Sequence, residues 1–405
     1  MTGRNTPSFF PFGKEQLLPA EEMLEVGRKR EKLIIGIPSE VEKVETRVPL
    51  TPQAVDLLVK NDHEVIIESN AGMQSNYSDR EYSEAGAIIT KNRKDVFHAD
   101  IILKISPFDI EEVELLKGNQ ILISALHFNT EFEESLRMLM QKKVCAIAYS
   151  YIRDENGFFP IEQILSEISG SNAVLIASEY LSTVHNGKGV ILGGVTGISP
   201  TEVVILGSDT AAEFAARAAL GLGATIKVFD DSINNLRNLE NRLHQRIFTS
   251  VFQPQVLMKA LQSADVVIGA LNACNSTKFI VPDDFIQKMK EGSVIVDLCM
   301  SKGGCFETSI ATTLKRPVYR KHGVVHYCVP NITARVARTS SIALSNTFAP
   351  ILINIGEIGG IHRYVRATKG FRNGIYVYNG ILTNADLGAR YNIPHQDIDL
   401  MMTAF

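Results

Sequence analysis

Residues 203–214 read VVILGSDTAAEF, which is the pattern of a buried strand that enters a helix through a tight turn. Such a turn binds the pyrophosphate of a dinucleotide when it reads G-x-G-x-x-G or G-x-G-x-x-A. Gly207 supplies the first glycine and Ala212 the tolerated alanine, but Asp209 stands at the second glycine. The segment therefore predicts a dinucleotide-binding type of fold in which one residue of the phosphate-binding turn is altered.

An acidic residue at a suitable distance from this turn supports NAD as the ligand. Asp230 follows the apolar run TIKVF and lies 23 residues after Gly207. A carboxylate at the end of the second strand of such a unit can bond to the ribose hydroxyls of NAD, and it would repel the extra phosphate of NADP. The predicted cofactor contacts in this region are Gly207, Ser208, Asp209, Thr210 and Asp230.

Asp209 leaves two interpretations of the turn open. A carboxylate about 4 Å from a phosphate charge costs on the order of 4 kcal/mol at a surface-like dielectric, which weakens binding by roughly three powers of ten. Alternatively, the same side chain could cap the free N–H groups at the helix start, so that the turn would hold no phosphate.

Alternating strand and helix patterns surround the turn and predict the fold class. Short apolar runs such as LIIGIP, EVIIES and ADIILKIS are typical of buried strands. Between them, TPQAVDLLVKNDH predicts a helix with Thr51 as its N-cap and Pro52 in its first turn. Two such series follow one another. We predict an α/β protein with two Rossmann-like domains, each built on a mostly parallel sheet.

The order of these two series predicts the domain boundaries. Residues 1–31 form a Phe-rich extension. Residues 32–160 form a substrate-binding domain, and residues 161–338 form the dinucleotide-binding domain. The remaining residues, 339–405, look helical and should pack back on the first domain, which becomes discontinuous. A ligand is then expected in the cleft between the two domains.

Composition narrows the classes of function. The chain has 405 residues and a net charge of −4 without a long basic run, which argues against a nucleic-acid partner. Its five cysteines are odd in number and form no C-x-x-C pair, so we predict reduced thiols, no disulfide framework and no metal site. We find no apolar run as long as a membrane span and no signal-peptide pattern. These features predict a cytoplasmic protein without a membrane partner.

Several segments together resemble the family of alanine dehydrogenases and the NAD-binding part of nicotinamide nucleotide transhydrogenase. They match in order from about Leu33 onward and read IGIPSEVEKVETRVPLTPQAV, ADIILKISPF, NQILISALHF, GKGVILGGVTGISPTEVVILG, GGCFETS and GVVHYCVPNITARVARTSS. GGCFETS and HYCVPN look more like alanine dehydrogenase than transhydrogenase. The resemblance implies reversible, NAD-dependent oxidative deamination of L-alanine to pyruvate by a homo-oligomer, often a hexamer.

The resemblance also implies a substrate pocket formed by Arg47, Lys104 and His127. Arg47 in ETRVPLTP can hold a carboxylate with its planar guanidinium group. Lys104 at the end of ADIILK can bond to the carbonyl side of the substrate, and His127 in SALHF can exchange a proton near neutral pH. Taken alone, each is also consistent with a surface charge or an ordinary strand-end side chain. Together they favour a pocket for an amino acid or a 2-oxo acid.

The chain departs from the family at the next catalytic position. Where the family has an aspartate that begins an Asp-Gln-Gly-Gly-type stretch, this chain has Ser301, followed by Lys302. A serine cannot take up a proton near pH 7, and losing a positioned acid/base group typically lowers the rate by about 10²–10⁴. Other family positions near the cofactor are matched by Ser166, Asn331 and Ile332.

Three hypotheses about function are therefore open. The chain is an alanine dehydrogenase in which His127 and either Ser301 or water carry the proton transfers. It is a catalytically impaired homologue that binds a small carboxylate or regulates an active relative. Or it is a dehydrogenase of a different small amino or oxo acid.

Overall fold

The computed structural model describes residues 30–40, 45–126, 132–271 and 281–403. Within these ranges the apolar runs form short strands, as expected of segments buried on both faces of a sheet. In chain order the strands are β1 (Ile34–Ile37), β2 (Glu64–Glu68), β3 (Ile88–Thr90), β4 (Ile101–Leu103), β5 (Ile121–Ser124), β6 (Cys145–Ala148), β7 (Glu202–Leu206), β8 (Thr225–Phe229), β9 (Phe248–Ser250), β10 (Val266–Gly269), β11 (Val294–Asp297), β12 (Val318–Lys321), β13 (Val324–Tyr327), β14 (Ile375–Tyr378) and β15 (Ile381–Leu382).

Helices connect most of these strands. The predicted start of the first helix is confirmed, because Thr51 is its N-cap and Pro52 its first residue. In chain order the helices are α1 (Pro52–Lys60), α2 (Asp79–Glu84), α3 (Arg93–Phe97), α4 (Ile110–Glu114), α5 (Phe132–Gln141), α6 (Pro160–Leu181), α7 (Thr210–Gly221), α8 (Ile233–Leu243), α9 (Pro254–Ser263), α10 (Asp283–Ile286), α11 (Ala337–Ile358), α12 (Ile361–Ala367), α13 (Lys369–Arg372), α14 (Ala385–Tyr391) and α15 (Ile398–Thr403).

The strands form two sheets. The first has the order β15-β14-β6-β5-β4-β1-β2-β3, and the second has the order β12-β13-β11-β10-β7-β8-β9. Pairing is parallel in both sheets except at one edge of each, where β14 runs antiparallel to β6 and β15, and β12 runs antiparallel to β13. The predicted α/β class with two mostly parallel sheets is confirmed.

Residues after 338 return to the first sheet, but they are not all helical. The long helix α11 contacts α1, and β14 pairs with β6. The expectation of helical text throughout 339–405 is therefore wrong for β14 and β15. These strands have four and two residues, and such short apolar runs cannot be told from buried helix segments by periodicity.

Each sheet is buried on both faces. Ile101 and Leu103 of β4 belong to one hydrophobic cluster, whereas Ile102 between them belongs to another on the opposite face. The second sheet divides in the same way, since Val203 and Val204 of β7 lie in different clusters. This alternation explains why the strands read as unbroken apolar runs.

One helix contradicts the expectation that no apolar run reaches membrane-span length. The segment Ile332–Ile358, which contains α11, is long and apolar enough to cross a membrane, and half of its most apolar window is buried. Its side chains Leu344, Phe348 and Leu352 lie in the core of the first sheet. A helix that is apolar on most sides is expected at such a buried position.

Candidate cofactor and substrate site

The turn after β7 contains a glycine that its backbone conformation and its surroundings both require. Gly207 has a φ of +112°, and a Cβ atom at this residue would lie 2.3 Å from the carbonyl oxygen of Ala270. Glycine is therefore required here, both for its backbone conformation and for the close approach of β10. Thr210 begins α7 directly after the turn, so the N–H groups of the first helical turn lie where a phosphate binds in this fold.

Asp209 occupies the N-cap position of α7 without capping it. Its backbone is extended, with φ −78° and ψ −171°, and its side chain accepts no hydrogen bond from the helix start. The side chain is exposed, so the carboxylate keeps its water shell instead of replacing it with backbone N–H groups. The self-capping interpretation is therefore wrong. The helix start stays available to a phosphate, and a negative charge stands beside it.

Ser208 and Asp230 lie together at the ends of β7 and β8. The Ser208 hydroxyl donates to Asp230 Oδ2 at 2.7 Å, and the Ser232 amide donates to Oδ1 at 2.8 Å. A hydrogen bond with Asp230 and its charge raise the pKa of Asp231, and the charge of Asp209 adds to this effect. Asp209, Asp230 and Asp231 thus place three carboxyl groups close together at this turn.

A basic side chain approaches the same turn from α8. Arg242 donates through Nη2 to the carbonyl oxygen of Ser208 at 3.0 Å and through Nε to Glu213 at 2.5 Å. Glu213 also pairs with Arg217 at 2.7 Å, within α7. Arg242 was not predicted from the sequence, because no motif connects it with a turn more than thirty residues earlier.

Arg47 is buried in a bidentate ion pair. It is 5% exposed, so its interpretation as a surface charge is wrong. Its Nε and Nη2 atoms donate to the two carboxylate oxygens of Glu45, both at 2.7 Å, and Nη1 donates to Thr333 Oγ1 at 2.8 Å. Asn331 donates to Glu45 Oε2 at 2.7 Å. Burial alone would lower the pKa of Arg47, but the Glu45 carboxylate reverses this effect and raises it.

Lys104 is also buried and paired. Its Nζ atom lies 2.6 Å from each carboxylate oxygen of Glu112 and 3.2 Å from the carbonyl oxygen of Pro107. Arg93 pairs with the same carboxylate. The interpretation of Lys104 as a strand-end lysine that reaches solvent is therefore wrong.

Glu40 connects the two cations electrostatically. It accepts from the Ile105 amide at 2.6 Å and from the Ser106 hydroxyl. Burial raises its pKa, and the positive charge of Lys104 opposes this rise, while Glu40 contributes to the raised pKa of Arg47. These side chains follow β1 and β4, neighbouring parallel strands whose carboxyl ends share one edge. We call this group the charged cluster; it comprises Glu40, Glu45, Arg47, Lys104 and Glu112.

The other predicted site residues lie elsewhere or outside the described residues. His127 lies outside the described residues. Ser166 is half-buried in α6, and Ile332 is buried, with its carbonyl oxygen accepting from Asn172 at 3.1 Å. Ser301 is exposed in a short 3-10 helix. Within the described part of the chain, no hydrogen bond or ion pair joins Ser166 or Ser301 to the charged cluster.

The loop that carries Ser301 contains a disulfide. Cys299 and Cys305 are bonded, with their Cα atoms 5.8 Å apart. The expectation of reduced thiols is therefore wrong for this pair, while Cys145 and Cys328 are free and buried. A C-x₅-C spacing is no recognised pairing motif, so the sequence carried no signal for it.

Comparison with known proteins identifies the family. Residues 36–169 match the family model described as alanine dehydrogenase/PNT, N-terminal domain, and residues 173–385 match the corresponding C-terminal domain. The chain belongs to the alanine dehydrogenase/PNT family. Family membership confirms the predicted resemblance, the alanine dehydrogenase-like class of oxidoreductase, and NAD as the cofactor. The roles of individual residues stay predictions.

Relatives in this family match over nearly their full length. An alanine dehydrogenase of Staphylococcus saprophyticus is 35% identical over 369 residues, which cover 91% of this chain and 99% of the relative. One from Geobacillus stearothermophilus is 33% identical over 380 residues, with the same coverage.

One solved structure supports the same family, and a second shares the fold. A solved L-alanine dehydrogenase aligns with a TM-score of 0.82 and 31% identity, covering 89% of this chain and 99% of that structure. A transhydrogenase from Sinorhizobium meliloti aligns with a TM-score of 0.73 at 21% identity, covering 87% and 99%. The second match is a likeness of fold alone.

Proposed function

We propose that this chain is an NAD-dependent dehydrogenase of L-alanine or a closely related small amino acid. The observation that carries the proposal is the burial of two cations, Arg47 and Lys104, in one charged cluster after β1 and β4. The carboxylates of Glu45 and Glu112 offset the cost of burying these two charges, and the arginine still has N–H groups that a ligand can use. The carboxyl ends of parallel strands are also where ligands bind in open α/β sheets.

Arg47 retains donors for a substrate carboxylate. A guanidinium group has five N–H donors, and within the described residues three of them are used, two on Glu45 and one on Thr333. The remaining two, one on each Nη atom, can bind a carboxylate while Glu45 fixes the plane of the group. Lys104 would support the carbonyl or amine side of the same substrate, and His127 would exchange the proton.

NAD, when bound, supplies the hydride acceptor for oxidation of the substrate Cα. In this chain Asp230 would hold the ribose, and the turn at Gly207 together with the start of α7 would hold the pyrophosphate. Asn331, Ile332 and Ser166 would lie near the nicotinamide. Ser301 cannot act as a base near pH 7, so water would take that part of the proton transfer.

A second candidate function is ligand binding without turnover. Asp209 favours it because this carboxylate is exposed beside the phosphate position and caps nothing, and Ser301 favours it because the acid/base group is absent. A regulatory subunit of this kind would bind a small carboxylate, or an active relative, with little dehydrogenase activity. A dehydrogenase of another small amino or oxo acid is the third candidate.

We further propose a cytoplasmic homo-oligomer, with a hexamer as the family-based expectation. Exposed apolar side chains support an interface between subunits. They lie within one segment of the second domain and comprise Val184, Ile191, Val195 and Ile198. Apolar patches of this kind commonly mark protein contacts. Size-exclusion chromatography with light scattering would measure the subunit number, and a monomer at micromolar concentration would contradict the proposal.

Titration of NADH with the purified protein, followed by turnover assays, tests the function. The chain has no tryptophan, so nicotinamide fluorescence is measured without energy transfer from that residue. Micromolar binding together with NADH formation from NAD and L-alanine would support the dehydrogenase. Binding without turnover on a panel of amino and oxo acids would favour the regulatory role, and no binding at millimolar NADH would reject the dehydrogenase.

A further inference from the structure

The disulfide encloses the loop at the aligned catalytic position. Cys299 and Cys305 flank Ser301 and Lys302, and their Cα separation of 5.8 Å lies within the usual range for a disulfide. Within the loop, the amides of Lys302 and Gly304 donate to the Cys299 carbonyl oxygen at 2.8 and 3.0 Å. The bond therefore closes a compact turn whose backbone amides are already internally hydrogen-bonded.

One buried carboxylate holds both cysteines in place. Asp297 is 1% exposed, and it accepts from the Cys299 amide at 2.8 Å and from the Cys305 amide at 2.9 Å. The Ser309 hydroxyl donates to the same carboxylate at 2.6 Å. None of these bonds involves a sulfur atom. They would therefore keep the two thiols adjacent in the reduced protein as well.

Both sulfurs contact the strand end that shapes the cofactor turn. Cys299 Sγ accepts from the Leu271 amide at 3.2 Å, and a Cβ atom on Gly269 would lie 3.1 Å from Cys305 Sγ. The residue between them, Ala270, is the one whose carbonyl oxygen approaches Gly207. The cysteine pair therefore lies next to the predicted phosphate site.

We propose that Cys299 and Cys305 are a reversible redox modification site, oxidised by hydrogen peroxide and reduced by a dithiol, whose closure restrains the Ser301 loop. One thiol attacks the peroxide oxygen and becomes a sulfenic acid with release of water. The second thiol attacks that sulfur, which forms the S–S bond and releases a second water. The two sulfurs lose two electrons, and these reduce the peroxide O–O bond. Because both cysteines are buried, the oxidant must be small.

A metal ion is the alternative occupant of the same cluster. Asp297, Cys299 and Cys305 place their ligand atoms within 4.8 Å of one another. The Asp297 oxygens already accept two amides and a hydroxyl, and the sulfurs are bonded to each other. The contacts therefore favour a disulfide. The site would exist whether or not the chain oxidises alanine.

The test uses the full-length protein, reduced with dithiothreitol, desalted under anaerobic conditions and treated with a small molar excess of hydrogen peroxide. Alkylation followed by peptide mass spectrometry should show a Cys299–Cys305 cross-link that dithiothreitol reverses, while Cys145 and Cys328 remain thiols. Hydrogen exchange of the 300–304 segment should be at least tenfold slower in the oxidised protein.

Two variants make the result specific. Cys299→Ala should exchange at the fast rate under both conditions, whereas the control Cys145→Ala should keep the full response to peroxide. Thiols that persist at positions 299 and 305 after peroxide treatment would overturn the proposal. So would equal exchange rates in the two states, or one zinc ion per chain bound by the reduced protein after incubation with zinc and resistant to peroxide.

Discussion

Arg47 and Glu45, which are separated by one residue on the loop after β1, form a buried ion pair with two N–O contacts of 2.7 Å. The pair joins the loop to Thr333 and Asn331, almost three hundred residues further along the chain. The guanidinium group is therefore both a structural connection and the predicted anchor of a substrate carboxylate. These two roles can be separated experimentally.

Arg47→Met should destabilise the protein by about 3–5 kcal/mol, because it leaves the Glu45 carboxylate buried without its partner. The double variant Glu45→Gln with Arg47→Met should recover most of this loss, since neither side chain is then charged. Urea unfolding followed by circular dichroism measures both. If the free energy of unfolding of Arg47→Met lay within about 1 kcal/mol of the parent value, the ion pair would be dispensable.

Asp209→Gly should tighten NADH binding by about two to three powers of ten, because it removes a negative charge beside the pyrophosphate. Asp209→Asn removes the charge but keeps the size of the side chain. If the charge weakens NADH binding, this variant should bind NADH nearly as tightly as Asp209→Gly. Nicotinamide fluorescence titration at constant salt gives both affinities. Unchanged binding in the glycine variant would mean that the carboxylate does not meet the phosphate.

Ser301→Asp should raise the rate of NADH formation from L-alanine by about 10²-fold or more, because it restores a group that can accept a proton at the aligned position. Ser301→Asn has a similar size but no basic group, and it serves as the matched control. Steady-state kinetics at saturating NAD would distinguish them. Equal rates in the two variants would show that proton transfer at this position does not limit turnover.

The buried imidazole of His326 predicts a loss of stability in mild acid. Burial lowers the pKa of His326 to about 4, and its Nε2 atom lies 2.8 Å from the Thr308 hydroxyl. Between pH 4 and about 6.5 the unfolded chain binds a proton at this residue while the folded protein does not, so stability rises with pH in that window.

Across this pH window, the free energy of unfolding should rise by about 3 kcal/mol. Below about pH 4 the folded protein also takes up the proton, so this residue contributes no further slope. Urea unfolding at half-unit pH intervals measures the dependence. His326→Gln should flatten it, and a variant with the parental slope would assign the effect to other groups.

The strand and turn positions were predictable because their signals are local. Apolar runs buried on both faces of a sheet, Pro52 at a helix start and Gly207 in a tight turn each depend on a few neighbouring residues. The edge strands β3 and β12 were missed, since none of their residues is fully buried and neither reads as an unbroken apolar run. Such segments give too little periodicity to be assigned from sequence.

By itself, the sequence determined the two-sheet α/β architecture, the family, and the positions at which the chain departs from it. Only the tertiary structure decided the partners of the charged and sulfur-containing side chains. Arg47 meets Thr333 across 286 residues, and Lys104 is buried on Glu112. Cys299 reaches Cys305 because Asp297 holds both of their amides. Such pairings depend on how distant segments and whole loops pack together, and residue type and spacing do not encode that packing locally.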